Sequence, residues 1–414
     1  MIRSIFLILV SVVSLSSCSF FSKNWTFIVY LDGDNDLAPY NLQDLEEMKT
    51  GIQVDNIRVL VQFDQPDGVT AKRYEITEKG MTELEDIGEV NMADEQTLTD
   101  FLVWAKGRLN KPDHTILILS DHGNGWDQTI GPSPAEKVGP RSLFNDWDNG
   151  VIKMAMHNHR VRTAIEASGI NINVLGLDAS IMGTIEAIYE FSDLAEVVIS
   201  SQEVGYQIGW DYTNVFARLS KDPKMSIDEF SSIVVDSYRR QFEEVLYPSG
   251  IETNDKLYTL AAHRSEGVKA LATALGDFAS STKAALADTA NNAELITALQ
   301  TARENAQHID FYNQPRVYVD IKDFFAKYDN TSNIPALLDQ ATIASYHGAD
   351  RPDANGLSVV FFKLRSDGSN NTYDVNYKNW DADTATGNKG RFINEFEWDE
   401  MLYLYNSQSY PTLF

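Results

Sequence analysis

Short, continuous runs of apolar and β-branched residues, each followed by a stretch with helical spacing, limit what this chain can fold into. The runs are Trp25–Leu31, Ile57–Phe63, Thr115–Ser120, Ile172–Leu177 and Glu196–Ser201. They hardly alternate with polar residues, so both faces of each strand are buried, as in a parallel sheet covered on both sides. The stretches Leu37–Lys49, Glu95–Leu109, Lys153–Ser168 and Ile181–Phe191 read as the covering helices. The pattern predicts an α/β fold, a three-layer sandwich around a mostly parallel central sheet.

After Tyr212 the chain becomes helix-rich. Ser226-Ile227-Asp228-Glu229 has the spacing of a capping box, and Phe230, Val234, Tyr238 and Phe242 follow on one helix face. Alanine-rich helices are expected over Gly267–Ala287 and Asn292–His308, with a further helix at Ile321–Lys327. Val317–Asp320 and Leu357–Phe362 read as late strands, and the Gly-, Asn- and Asp-rich region 365–392 as a long loop. With 414 residues there is room for one large domain and a subdomain. The expected division is a core over 25–250 and a helix-rich C-terminal subdomain over 251–414.

The formal charge of −26 argues against nucleic acid and anionic lipid headgroups as partners. The single cysteine, Cys18, follows the short apolar run Ile5–Val13, which is preceded by Arg3. That layout is a secretory signal rather than a membrane span. Leu15-Ser16-Ser17-Cys18 resembles a bacterial lipobox. It implies a signal peptide over 1–17, cleavage before Cys18, lipid on its thiol and a tether to residue 24. The chain would then sit in the cell envelope, anchored to a membrane through Cys18. Ser19 does not favour inner-membrane retention, which points to the outer membrane or cell surface. With one cysteine there is no intramolecular disulfide and no cysteine-built metal site.

Ligands of open α/β sheets bind at the carboxyl ends of the strands. One strand ends in Ser120-Asp121-His122-Gly123-Asn124-Gly125-Trp126, another in Gly176-Leu177-Asp178-Ala179-Ser180. If the two strands are neighbours, His122 and Ser180 open onto one crevice. Gly123 and Gly125 let backbone approach a substrate. Ser180 is expected to open a helix, where backbone N–H groups favour an anion. A His-Gly after one strand and a D-x-[nucleophile] after a later one form the pattern of a Cys/His dyad, with a hydroxyl in the nucleophile position.

These segments are similar to the clostripain family of cysteine peptidases, within the caspase-like fold. The resemblance begins at Trp25–Leu37 with a D-N-x-L turn. It continues through Glu89–Asp94, Ser120–Trp126, Leu175–Met182, Ser200–Glu203 and Gly209–Tyr212, and reaches Tyr318–Ile321 and Gly356–Phe361. It implies that His122 matches the catalytic histidine and that Ser180 occupies the catalytic cysteine position. It also implies that Asp178 belongs to a pocket for a basic side chain. The family cuts after Arg or Lys, often matures by self-cleavage, and in some members requires calcium, so a calcium site is left open by the resemblance. Lys137 and Arg141 resemble the place where the family self-cleaves, but without a competent nucleophile they read as plain solvated charges. Two positions depart from the pattern: Ser180, and Ile208, where an acidic residue often completes the basic pocket.

Other candidates have plainer readings. Asp32-Gly33-Asp34-Asn35-Asp36 starts like a calcium loop, but Leu37 and Gln43 stand at its sixth and twelfth positions, so it is expected to cap a helix. His157 and His159 are expected on the surface, and Asp146, Trp147 and Asp148 in a loop. Asp121 and Asp127 flank His122 and read as turn residues that could also orient its ring.

Three functions remain. The first is a lipid-anchored peptidase homologue that binds a peptide or protein in its cleft without cutting it. The second is an active hydrolase using Ser180 and His122. The third is a structural or adhesive surface protein. A serine hydroxyl needs a base that is itself oriented by a third group, whereas a thiol does not. The first reading is therefore preferred.

Overall fold

The computed structural model describes residues 24–66, 68–126, 143–148, 151–246, 256–311, 314–329, 331–362 and 390–409. The expected signal peptide, Cys18, Asp127, Lys137 and Arg141 lie outside these residues. Among the described residues no helix is long and apolar enough to cross a membrane.

Five of the strands are β1 (Trp25–Leu31), β2 (Ile57–Phe63), β5 (His114–Ser120), β8 (Ile172–Asp178) and β9 (Ala195–Ser200). They pair in parallel in the order β2-β1-β5-β8-β9. An antiparallel hairpin, β3 (Ala71–Thr77) and β4 (Gly80–Gly88), extends the sheet beyond β2. Two antiparallel strands, β10 (Thr259–Arg264) and β13 (Thr342–His347), extend it beyond β9. All five buried runs are thus strands of one nine-stranded sheet. The four flanking strands had no such signal: β3, β4 and β13 alternate or stay half-exposed, and β10, though buried, is a short run ending in His263 and Arg264.

Residues of β1 show why the sheet is a middle layer. Ile28 and Tyr30 enter one core, while Trp25, Phe27, Val29 and Leu31 enter the other. Helices α1 (Ala38–Gly51), α5 (Tyr212–Lys221) and α6 (Ile227–Arg240) cover the second face. Helices α2 (Glu95–Lys106), α3 (Asn158–Ser168), α4 (Ile185–Phe191) and the long α7 (Ser265–Ala287) cover the first. The capping box at Ser226 and Glu229 forms as expected, and Phe242 falls in the π-helical turn that follows α6. Because β10 and β13 join the central sheet, the division at residue 250 does not separate two sheets. A small antiparallel sheet of β11 (His308–Phe311), β12 (Gln314–Asp320) and β14 (Ser358–Val360) meets the main body at Thr184, which bridges to Ser358.

Three local expectations are corrected. Residues Val151–Ala155 form a strand paired with Asn145–Asp148, so the helix begins at Asn158 and the expected loop at 146–148 is a ribbon. His157 and His159 are buried, their rings 5.4 Å apart, because His157 precedes the helix in extended conformation. The helix after Ser180 starts only at Ile185, capped by the Thr184 hydroxyl.

Gly176, within β8, lets the Trp210 indole approach the sheet closely. A Cβ at 176 would sit 2.7 Å from the indole ring, which is itself buried. Gly176→Ala is expected to cost about 1–3 kcal/mol by overpacking, read as a lower urea midpoint with unchanged slope.

Candidate active site

The parallel strands end level with one another. Leu31 pairs with Ser120, and Ser120 pairs with Asp178. The chain therefore leaves β1, β5 and β8 at one height, and its order reverses between β1 and β5, where open sheets form a crevice. The three departing segments carry Asp36, His122 and Ser180. With the loop 204–209 and helix α1 they enclose a cavity of about 360 Å³ lined by Asp36, Asp44, Asp178, His122 and Ser180 among others.

His122 is held by Asp36, whose Oδ1 lies 2.8 Å from Nε2. A carboxylate only accepts, so Nε2–H donates and the neutral ring presents Nδ1 as its acceptor. Asp121, read from the sequence as a turn residue that could also orient the ring, accepts from Asn35 Nδ2 at 2.9 Å. The helix cap expected from Asp32–Asp36 is an Asx turn, in which Asn35 Oδ1 accepts from Leu37 N–H at 2.8 Å. Beyond that turn, Asp36 faces His122.

Ser180 is buried, and its Oγ accepts the Gly205 N–H at 3.0 Å. Among the described residues Oγ makes no hydrogen bond to His122. Ser180 lies in a turn rather than at a helix N-terminus. The next residue, Ile181, has φ of 60°, which is rare for a β-branched residue and stores strain. The turn is held there by Ile181 N–H to Glu203 O at 2.9 Å and Gly183 N–H to Ser201 O at 2.6 Å. The Arg351 guanidinium pairs with the buried Glu203 and pins the receiving loop.

Gly123 does not line the cavity but sets its width. A Cβ there would stand 2.2 Å from the Ser180 carbonyl oxygen, so only glycine lets the two loops meet. Ile208 is also outside the lining and packs on the core formed with α1, α5 and α6. Asp178 Oδ2 accepts from Tyr212 Oη at 2.9 Å and Trp210 N–H at 3.2 Å. Burial pushes its carboxyl up to about 6, against the lowering effect of those two donors. Asp44, on α1, is missed by sequence reasoning, as is Asp36. Its signal is a charged residue on the inward face Asn41, Asp44, Leu45 and Met48. Burial, then Asp178 and Glu47, raise the Asp44 carboxyl well above its usual range. Among the described residues no group of three or more His, Cys, Asp or Glu is arranged to hold a metal ion.

The sequence matches the clostripain family profile over residues 29–404. The chain belongs to the clostripain family. It is 25% identical over 226 residues to the clostripain of Hathewaya histolytica, a match spanning 47% of this chain and 42% of that protein. The chain thus matches less than half the length of that curated relative. Its fold is similar to a secreted C11 cysteine protease from Bacteroides thetaiotaomicron bound to an irreversible peptide inhibitor. The TM-score is 0.64 at 18% identity, covering 86% of this chain and 96% of that one. An inactive zymogen C11 protease from Parabacteroides distasonis gives 0.61 at 15% identity, covering 82% and 92%. The caspase-like α/β architecture is therefore that of the C11 proteases.

Asp178 makes stability pH-dependent. Its folded pKa of about 6 lies above the ordinary 3.8, so the folded state binds the extra proton between those values. Its contribution is favourable below pH 3.8 and is lost as pH rises through 6. Asp178→Asn, which still accepts from Tyr212 and Trp210, should abolish about 2–3 kcal/mol of this slope in urea unfolding between pH 4 and 7.

Proposed function

We propose that this chain is an exported, Cys18-anchored member of the clostripain family whose cleft binds a peptide or protein segment without efficient hydrolysis. The observation that carries this reading is the bonding of Ser180: its Oγ accepts from Gly205 N–H and makes no hydrogen bond to His122. A thiol in that place ionises near neutral pH and needs no base in contact. A hydroxyl does need one, and the imidazole does not reach it in this geometry. The scaffold is that of a peptidase, so the binding surface stays while the nucleophile is mute. The lipobox-like segment and the export of the B. thetaiotaomicron C11 protease support placement in the cell envelope.

The test compares wild type, Ser180→Cys and Ser180→Ala on a peptide panel. Ser180→Cys should turn over peptides about 10²-fold or more faster than wild type, with wild type and Ser180→Ala alike. Wild-type turnover that disappears in Ser180→Ala would overturn the reading.

One observation favours a second reading, an active serine hydrolase. Asp36 supplies the third group that a serine nucleophile requires, fixing the His122 tautomer at 2.8 Å. On that reading a fluorophosphonate labels wild type but not Ser180→Ala, and labels Asp36→Asn about 10²-fold or more slowly. Absence of labelling in wild type leaves the binding reading.

A further inference from the structure

The chain enters its fold at the end of the sheet opposite the cleft. Asn24 stands just before β1, where its N–H donates to Asp113 Oδ2 at 2.8 Å, and Trp25 Nε1–H donates to Pro223 O at 2.9 Å. In register, Trp25 pairs with Ile57 and His114, the first residues of β2 and β5. The cleft lies past the other end, where Leu31, Ser120 and Asp178 stop. β1 has seven residues, so the two ends are about 23 Å apart at about 3.3 Å per residue. Six peptide steps join Cys18 to Asn24, and they span at most about 21 Å when fully drawn out.

We propose that the face at the amino ends of the strands is the surface that meets the bilayer, and that the cleft opens away from it. This rests on the reading of Cys18 as the lipidated anchor. The lengths decide the orientation. Turned over, the chain would hold Asn24 farther from the headgroups than six steps reach, because the turns that carry Asp36, His122 and Ser180 add to the height of the sheet. Upright, the cleft stands up to roughly 45 Å from the bilayer. Its ligand is then a peptide or protein segment presented from the aqueous side, not one lying among headgroups.

The chemistry of that face fits a polar lipid surface. Helices α1, α2 and α5 run back to it and end in basic turns, with Lys49, Lys106, Arg218 and Lys221. Such residues suit the negative ends of helices, and the fold delivers them to one end of the molecule. Around Asn24 the exposed Lys111, Lys221 and Lys224 offset Asp55, Asp113 and Asp222. Asp228, at the start of α6, is paired with Arg264. The formal charge of −26 is therefore not concentrated where the tether enters. An anionic bilayer repels so acidic a chain as a whole, and a locally balanced end lessens that repulsion.

The experiment follows lysine reactivity. The mature chain, Cys18 to Phe414, is coupled through its lone thiol to a maleimide-headgroup lipid in phosphatidylcholine vesicles. It is compared with the same chain blocked by N-ethylmaleimide beside the same vesicles. Both are acetylated briefly, and each lysine is read by mass spectrometry. Lys111, Lys221 and Lys224 should react at least about threefold more slowly in the coupled chain, as a face held within one short tether of a surface requires. Lys72, opposite Phe63 at the end of β2, and Lys256, just before β10, stand at the cleft end and should keep their rates. An insert of about twenty Gly and Ser residues after Ser22 should relieve the slowing, since such a linker frees the body from the surface. Equal slowing at the two ends, greater slowing of Lys72 and Lys256, or slowing that survives the insert would overturn the orientation. The anchor is tested apart, by the mass of the peptide beginning at Cys18 after expression with residues 1–17. An acylated peptide supports the anchored reading, and an unmodified one overturns it and with it the bilayer as partner. An acylated peptide together with evenly slowed lysines overturns the orientation alone.

Discussion

The level ends of three adjacent parallel strands hold the site together. Leu31, Ser120 and Asp178 stand opposite one another, and each is followed at once by a turn that carries a polar side chain to the same crevice. The register is fixed by burial: a shift of one residue would swap the two cores, sending Trp25 and Phe27 to the face now filled by Ile28 and Tyr30. The packing of the sheet and the geometry of the cleft are one constraint. Side chains that touch no ligand, such as those of β1, decide where Asp36 meets His122.

Around that constraint the loops are joined by backbone and side-chain hydrogen bonds. Gln202 donates to Ser358 Oγ at 2.8 Å and to Asp320 at 3.1 Å, and accepts from Gly356 N–H at 2.6 Å. It thereby fastens the small C-terminal sheet to the turn bearing Ser180. Such saturation is what a rigid site requires.

The parallel strands and most helices were legible because double-sided burial leaves continuous apolar runs, and His122, Ser180 and Asp178 followed from their places at strand ends. The flanking strands β3, β4, β10 and β13 were not, since a hairpin exposed on one side and short antiparallel strands lack that signal. Asp36 was hidden by a plausible local role. Five polar residues before a helix look like caps, and only the tertiary turn shows that Asn35 makes the local bond while Asp36 faces the ring. Asp44 was hidden by its helix: one acid on an inward face has no meaning until the facing loop is known. Ser180 was placed at a helix N-terminus because the strand-to-helix step looked immediate. The strained Ile181 and three further residues intervene, and they aim Oγ at Gly205 rather than at a helix end.

Nucleophile and pocket depend on different physics, and this is why one can change while the other persists. Attack by residue 180 depends on proton loss, where sulfur and oxygen differ by many pKa units in otherwise identical surroundings. The form of the cleft depends on strand register and on contacts between loops, and it does not depend on the element carried at position 180. A hydroxyl in place of a thiol at 180 alters the first and makes no demand on the backbone, because Gly123, Gly183 and the Glu203 loop grip the turn through its main chain. On a scaffold built in this way, a single change of atom can alter the nucleophile and leave the shape of the cleft as it was.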